Sequence, residues 1–243
     1  MPKSGKTMNK LCVQNISKSF NTINGIRHVL KNVSFEIQES TTCVIGGENG
    51  SGKSLLMSII AGLEKADSGK VLSFGKAGLV FQEAETQILG ETPAEDIAFG
   101  PKNLGWKKDK VDEAVENALS KTDLTEKRDY PARFLSGGEK RRLAVACMLA
   151  MDLPVIILDE PYANLDYTGV KQVNALIQNL KQQKKTVLIL THEIEKCLAL
   201  ADQFIVLFRG EKTFDGSPAE ITEKNIDVEQ WNIRNPFNSY KTV

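Results

Sequence analysis

Residues 47–54 read GENGSGKS, and no other stretch constrains the fold of this chain so tightly. The spacing G-x-x-x-x-G-K-[ST] works as a turn between a buried strand and a helix, where backbone N–H groups converge on phosphate oxygens. The flanks agree. TCVI at 42–45 is a short apolar run, and Leu55, Leu56, Ile59, Ile60 and Leu63 then recur at helical spacing. The helix N-terminus adds partial positive charge. Gly47, Asn49, Gly50, Ser51 and Gly52 are expected to cradle phosphates. Lys53 is expected to reach the β and γ phosphates, and Ser54 to ligate Mg²⁺.

The rest of the chain alternates. LCVQNI (11–16) and VLKNVSFEI (29–37) read as strands, the second with Val33, Phe35 and Ile37 alternating with polar residues as in an antiparallel pair. AGLVF (77–81), TVLIL (186–190) and FIVLF (204–208) read as buried strands. Val111, Ala114, Val115 and Ala118 make the stripe of one helix, and Val173, Leu176, Ile177 and Leu180 that of another. A helix is expected over 193–200, and LAVACMLAM (143–151) is apolar all round, as in a deeply buried helix. Strands alternating with helices imply an α/β fold with a parallel sheet covered on both sides.

A phosphate loop needs a second metal ligand and a base. VIILDE (155–160) is a continuous apolar strand that ends in two carboxylates. Asp159 is expected to hold the metal, and Glu160 to polarise the water that attacks the γ phosphate. His192 leaves the strand in TVLILTHE at the same sheet edge and is expected to touch the γ phosphate. His28 has no such context. The nearest match to a guanine motif is SKTD at 120–123, at a helix end rather than after a strand, so a GTPase is set aside.

Composition excludes other classes. Thirty-one basic residues balance thirty-one acidic ones, so no overall field draws the chain to nucleic acid or an anionic membrane. The longest uncharged apolar run, at 143–151, is far short of the roughly 20 residues of a membrane span. The N-terminus MPKSGKTMNK has no apolar h-region. The four cysteines (Cys12, Cys43, Cys147, Cys197) sit among apolar neighbours and read as buried free thiols. Two histidines make a protein-built zinc site improbable.

One stretch is not explained by a single phosphate site. LSGGEKRR (135–142) joins a small hydroxyl, two glycines and a helix start, which is again an anion site. Taken in order, GENGSGKS, FQ (81–82), LSGGEKRR, VIILDEP, ANLD (163–166) and TH (191–192) resemble the motifs of an ABC-type ATPase over residues 9–222. The resemblance implies the ABC fold of P-loop NTPases: a mainly parallel core sheet, an antiparallel β subdomain and a helical subdomain at about 83–150. Residues 1–8 and 226–243 are expected to be tails. It implies ATP and Mg²⁺ as cofactors, and a second ABC ATPase subunit, identical or paralogous, facing the first head to tail. Leu135, Ser136, Gly137, Gly138 and Glu139 would then cap the nucleotide of the partner. Gln82 would contact Mg²⁺ and the attacking water, Asp166 would lie at the dimer seam, and Phe20 would stack on adenine for about 1–3 kcal/mol. Glu139, Leu55, Tyr162 and Asn164 depart from the common pattern. The first puts a negative charge near the partner's nucleotide, and the last two leave the dimer contacts in doubt.

Residues 78–106, GLVFQEAETQILGETPAEDIAFGPKNLGW, are similar to the ATPases of energy-coupling factor (ECF) importers. That resemblance implies a groove for a coupling helix of the transmembrane T component, with Glu95 and Asp96 meeting its arginines. It implies a peripheral place on the cytoplasmic face of the cell membrane, an indirect link to a substrate-binding membrane component, and no nucleic-acid partner. The short stretch after ITEKN (221–225) points to the compact type serving nickel, cobalt or biotin uptake, and the aromatic end WNIRNPFNSYKTV is expected to pack on the domain. The competing reading is a soluble ABC ATPase of iron–sulfur assembly, DNA repair or the ribosome. A third is an ATP-binding module without turnover.

Overall fold

The computed structural model describes residues 10–236. Phe237 and Tyr240 of the aromatic end lie outside them. Two sheets stack against each other. β1 (Lys10–Thr22) and β2 (Gly25–Gln38) form a long antiparallel hairpin, and β4 (Ser68–Leu72) pairs antiparallel with β1. The core sheet contains β3 (Thr42–Gly46), β5 (Ala77–Val80), β6 (Val155–Asp159), β7 (Thr186–Leu190), β8 (Gln203–Phe208) and β9 (Glu211–Gly216), in the order β5-β6-β7-β3-β8-β9. β5, β6, β7, β3 and β8 run parallel, and β9 closes the edge antiparallel.

That order places the ends of β3, β6 and β7 side by side. In an open parallel sheet, ligands collect at these carboxyl ends. Two apolar layers fix the geometry. Leu11, Val13, Ile16, Val33, Phe35 and Ile37 pack between the two sheets, together with Leu56 and Met57 of α1 (Lys53–Ile60). On the other face, Ile156, Leu158, Ile189 and Phe204 pack against α5 (Tyr167–Gln182).

A third core holds a helical layer together. α2 (Pro93–Asn103), α3 (Lys108–Lys121) and α4 (Gly137–Ala150) bury Ile97, Val111, Val115, Leu119, Leu143 and Ala146 against one another. Thr92 caps α2 by accepting from Glu95 N, and Pro93 starts it. Gly100 lets α2 approach the end of α4, since a Cβ there would sit 2.5 Å from Met151 Sδ.

Two sequence expectations change here. Residues 193–200 form no α-helix: two short 3-10 turns, Ile194–Lys196 and Leu198–Leu200, lead from β7 to β8. α4 is also less enclosed than its composition implies, because Cys147, Met148 and Leu149 are only half-buried. Cys12, Cys43 and Cys197 are buried free thiols as expected, whereas Cys147 is not fully enclosed.

The odd residues of the turn after β6 acquire reasons. Tyr162 is fully buried in the core under the sheet, and its hydroxyl donates to Asn174 Oδ1 at 2.7 Å. Asn174 Nδ2 in turn donates to Lys196 O at 3.0 Å. Burial pushes the phenol's pKa well above its ordinary value. Asn164 holds a left-handed conformation (φ 58°) that suits its short amide side chain. Replacing Tyr162 with Phe leaves Asn174 without its donor and should lower unfolding stability by about 1 kcal/mol. Denaturant melts of the two proteins measure this; an unchanged midpoint would show that the hydroxyl contributes nothing.

Candidate functional site

The loop between β3 and α1 is built by glycines in conformations that side chains avoid. Gly47, Gly50 and Gly52 have φ of 146°, 81° and 100°. At Gly47 the backbone approach is also close, since a Cβ would fall 2.1 Å from Leu207 O. The start of α1 has no side-chain cap and no acidic residue in its first turn. Its N–H groups and dipole are therefore open to an anion. The Ser51 hydroxyl is buried with no hydrogen-bond partner. An uncapped helix start, an orphaned hydroxyl and a glycine cradle are what a bound phosphate would satisfy.

Charge converges on the same point. The Lys53 ammonium is buried and donates to Gly47 O at 2.7 Å and Glu48 O at 3.0 Å. Burial lowers its pKa, and Glu160, Asp159 and Glu48 work against that shift. Ser54 Oγ donates to Asp159 Oδ1 at 3.3 Å, so two of the three expected metal ligands, Gln82 being the other, already stand together. Burial raises the pKa of Asp159, and the Ser54 hydrogen bond opposes it. Among the described residues no cluster of three or more His, Cys, Asp or Glu could hold a metal alone. Ser54 and Asp159 suit a Mg²⁺ ion that takes its remaining ligands from phosphate and water.

Glu160 follows in a left-handed turn (φ 45°), and its N–H donates to Leu190 O at 2.9 Å. The carboxylate is buried. His192 Nδ1 lies 3.0 Å from Glu160 Oε1, and His192 N donates to Glu160 Oε2 at 3.4 Å. The imidazole itself is exposed. Glu160 is thus aimed by a residue that reaches solvent, as a base next to an entering substrate requires.

The remaining expected residues divide. Gln82 is exposed on the loop after β5, at the same sheet edge. Its neighbour Gln87, which sequence reasoning passed over, holds this loop: Gln87 Oε1 accepts from Phe81 N and Nε2 donates to Leu79 O, both at 2.8 Å. Its place in the run QEAETQ (82–87) gave no sign of this role. Phe20 is half-exposed on β1, opposite Arg27, with Lys18 Nζ 5.4 Å above its ring. Asp166 caps α5, accepting from Gly169 N at 2.7 Å.

Ser136 caps α4. Its hydroxyl accepts from Glu139 N at 3.3 Å, while Glu139 Oε2 accepts from Ser136 N at 2.8 Å. This reciprocal capping box gives Glu139 a structural role within its own chain. Its carboxylate is turned back onto the cap, with Lys127 Nζ 3.8 Å away, and its pKa is lowered chiefly by the Ser136 N–H. Leu135 is buried beneath the turn, and Gly137 and Gly138 open the helix. Among the described residues, no hydrogen bond or ion pair joins this turn to residues 47–54. Lys140 does tie α4 to the glutamine loop, with its Nζ 2.7 Å from Glu85 Oε2.

A groove of about 360 Å³ lies between α2 and α4, walled by Leu89, Phe99, Leu104, Met148 and Met151. Glu95 is exposed on α2, and its Oε2 accepts from Glu91 N at 3.1 Å. Asp96 does not serve as expected: it is buried, its Oδ1 accepts from Leu89 N and Gly90 N at 2.7 and 2.8 Å, and its Oδ2 accepts from Cys147 Sγ. Its charge shapes the groove wall and is not free for an incoming arginine.

Comparison with known proteins points the same way. The family model described as "ABC transporter" matches residues 30–163. The energy-coupling factor transporter ATP-binding protein EcfA of Carboxydothermus hydrogenoformans is 37% identical over 86% of this chain and 82% of its own length. Of two further relatives, the chain spans only 56% and 49%. The structure of cbiO1 from Clostridium perfringens, part of the ABC transporter complex cbiONQ, superposes with a TM-score of 0.79 at 30% identity, over 93% of this chain and 95% of that one. The ATP-binding cassette MJ0796, solved as a dimer in a post-hydrolysis state with ADP and Pi, gives 0.74 at 26% identity, over 86% and 98%.

Glu160→Gln keeps the size of the side chain and removes the base. It should reduce ATP hydrolysis by about 10²–10⁴-fold while equilibrium binding of ATP persists. Paired turnover and fluorescent-nucleotide titrations check this; full turnover would remove Glu160 from the chemistry.

Proposed function

Since the chain belongs to the ABC transporter family, we propose that it is the ATP-binding and hydrolysing subunit that energises an ECF-type importer for a vitamin or a transition-metal ion. The observation that carries the chemistry is the convergence of Lys53, Ser54, Asp159, Glu160 and His192 at one sheet edge. The likeness to EcfA and to cbiO1 supports the transport setting.

In this reading Gly47 and Asn49 through Lys53 hold the phosphates of ATP. Ser54 and Asp159, with Gln82 moving in, hold Mg²⁺, which neutralises phosphate charge when bound. Glu160 accepts a proton from the attacking water at a carboxylate oxygen, and His192 orients that carboxylate through Nδ1. Phe20 offers a ring face to the base.

Among the described residues no hydrogen bond or ion pair joins the turn at Ser136 to the chain's own phosphate loop, and in this reading its anion is the nucleotide held by a second ATPase subunit. Two such subunits facing head to tail complete two sites, and Asp166 lies at the seam. The dimer of MJ0796 supports this arrangement. The groove between α2 and α4 receives a helix of a transmembrane partner: its walls are apolar, and Glu95, exposed on α2, offers a carboxylate to a basic side chain. Among the described residues no helix is long and apolar enough to cross a membrane. The likeness to EcfA and cbiO1 supports a peripheral place on the cytoplasmic face of the membrane. The antiparallel sheet, the mainly parallel core sheet and the helical layer over about 83–150 act as one ATPase domain, to which part of the expected C-terminal tail also contributes through buried Val228 and Ile233.

Affinity capture of the tagged chain from detergent-solubilised native membranes tests the setting. A polytopic protein and a small substrate-binding membrane protein should co-purify, and Glu95→Lys should weaken their recovery. Recovery solely with soluble assembly factors or ribosomes would favour a non-transport ATPase instead.

A further inference from the structure

The phosphate loop carries a residue that works against its purpose. Glu48 places a carboxylate in a loop built to hold anions, where its charge opposes the burial that lowers the pKa of Lys53. Like charges at close range repel unless the carboxylate is turned away. The structure shows what turns it. Asn232, far along the sequence, donates from Nδ2 to Glu48 Oε2 at 2.7 Å.

Asn232 is held in place by its surroundings. It ends a short 3-10 turn, Val228–Trp231, in a left-handed conformation (φ 55°) that asparagine tolerates well. Asp227 Oδ1 caps the turn by accepting from Glu229 N at 2.9 Å. Val228 and Ile233, on either side, are buried in the core beneath the sheet. Trp231 packs on Phe214 with ring centroids 6.1 Å apart, and Phe214 on Phe204 at 5.8 Å. Phe204 closes the chain of contacts, because a Cβ on Gly46, at the end of β3, would lie 2.9 Å from its ring. The same segment therefore supports the strand that enters the loop and grips the loop's carboxylate.

The gripped residue matters to the cradle. The Glu48 carbonyl accepts from Lys53 Nζ at 3.0 Å and from Ser51 N at 3.2 Å. Fixing the Glu48 side chain fixes that carbonyl and keeps the carboxylate off the phosphates.

We propose that Asn232 is a positioning residue for the nucleotide loop, through which the C-terminal segment sets the loop's affinity for ATP. This rests on the reading of residues 47–54 as the ATP site. The test is titration of the full-length chain with a fluorescent ATP analogue in Mg²⁺, alongside thermal melts without nucleotide. Asn232→Asp sets two carboxylates against each other and should weaken binding about tenfold, and Asn232→Ala about threefold. Adding Glu48→Gln to Asn232→Asp should restore most of the affinity, while the nucleotide-free melting midpoints stay within about 2 °C. Wild-type affinity in Asn232→Asp would overturn the proposal. So would a loss that follows the melting midpoint and is not rescued by Glu48→Gln. Lys53→Ala separates the two readings: it should abolish binding whatever Asn232 does, and undiminished binding there would remove the ATP site itself.

Discussion

The ammonium of Lys53 is enclosed at the carboxyl edge of the parallel sheet, and the rest of the structure is arranged around holding it there. Burial lowers its pKa, and the charges of Glu160, Asp159 and Glu48 offset only part of that shift. Those carboxylates come from different parts of the chain. They meet because β3 lies between β7 and β8, with β6 next to β7. An ammonium among acids and beside an uncapped helix start is poised for phosphate; in the proposed reading the anion would relieve the lysine, and Asp159 and Glu160 would divide between metal and water.

The helical layer has a different task. α4 has its cap satisfied internally, by the Ser136–Glu139 box, so its N-terminus is stable without a ligand. It is linked to the nucleotide edge through Lys140 and Glu85 on the glutamine loop, and its other side walls the groove beside α2. A movement of that loop on nucleotide binding would reach the groove through one rigid helix. In the proposed assembly this is the route from phosphate to membrane partner.

Much of this was legible in the sequence because the phosphate site is made of local patterns. GENGSGKS, VIILDE and TVLILTH each combine an apolar strand with the residue that leaves it, so their meeting at one edge follows from the parallel sheet. What escaped was set by long-range contacts. β4 and β9 are polar and exposed, and they pair at edges where no apolar pattern is needed. The helix expected over 193–200 gives way to two 3-10 turns, as Ile194, Cys197 and Leu198 follow the core between β7 and β8 rather than a helical stripe. Asp96 read as a surface charge because nothing local shows that Leu89 N and Gly90 N would claim it. The bond from Asn232 to Glu48 joins residues 184 positions apart and has no sequence signature.

The central claim is that Ser136 serves a nucleotide held by another subunit. Ser136→Asp tests it cleanly, because aspartate caps a helix as well as serine does yet brings a negative charge to the place where a phosphate would rest. The measurement compares ATP binding by the isolated chain with ATP hydrolysis by its membrane complex. The account predicts unchanged binding and hydrolysis reduced by about a hundredfold or more. Hydrolysis at the wild-type rate, or binding lost together with it, would contradict the account.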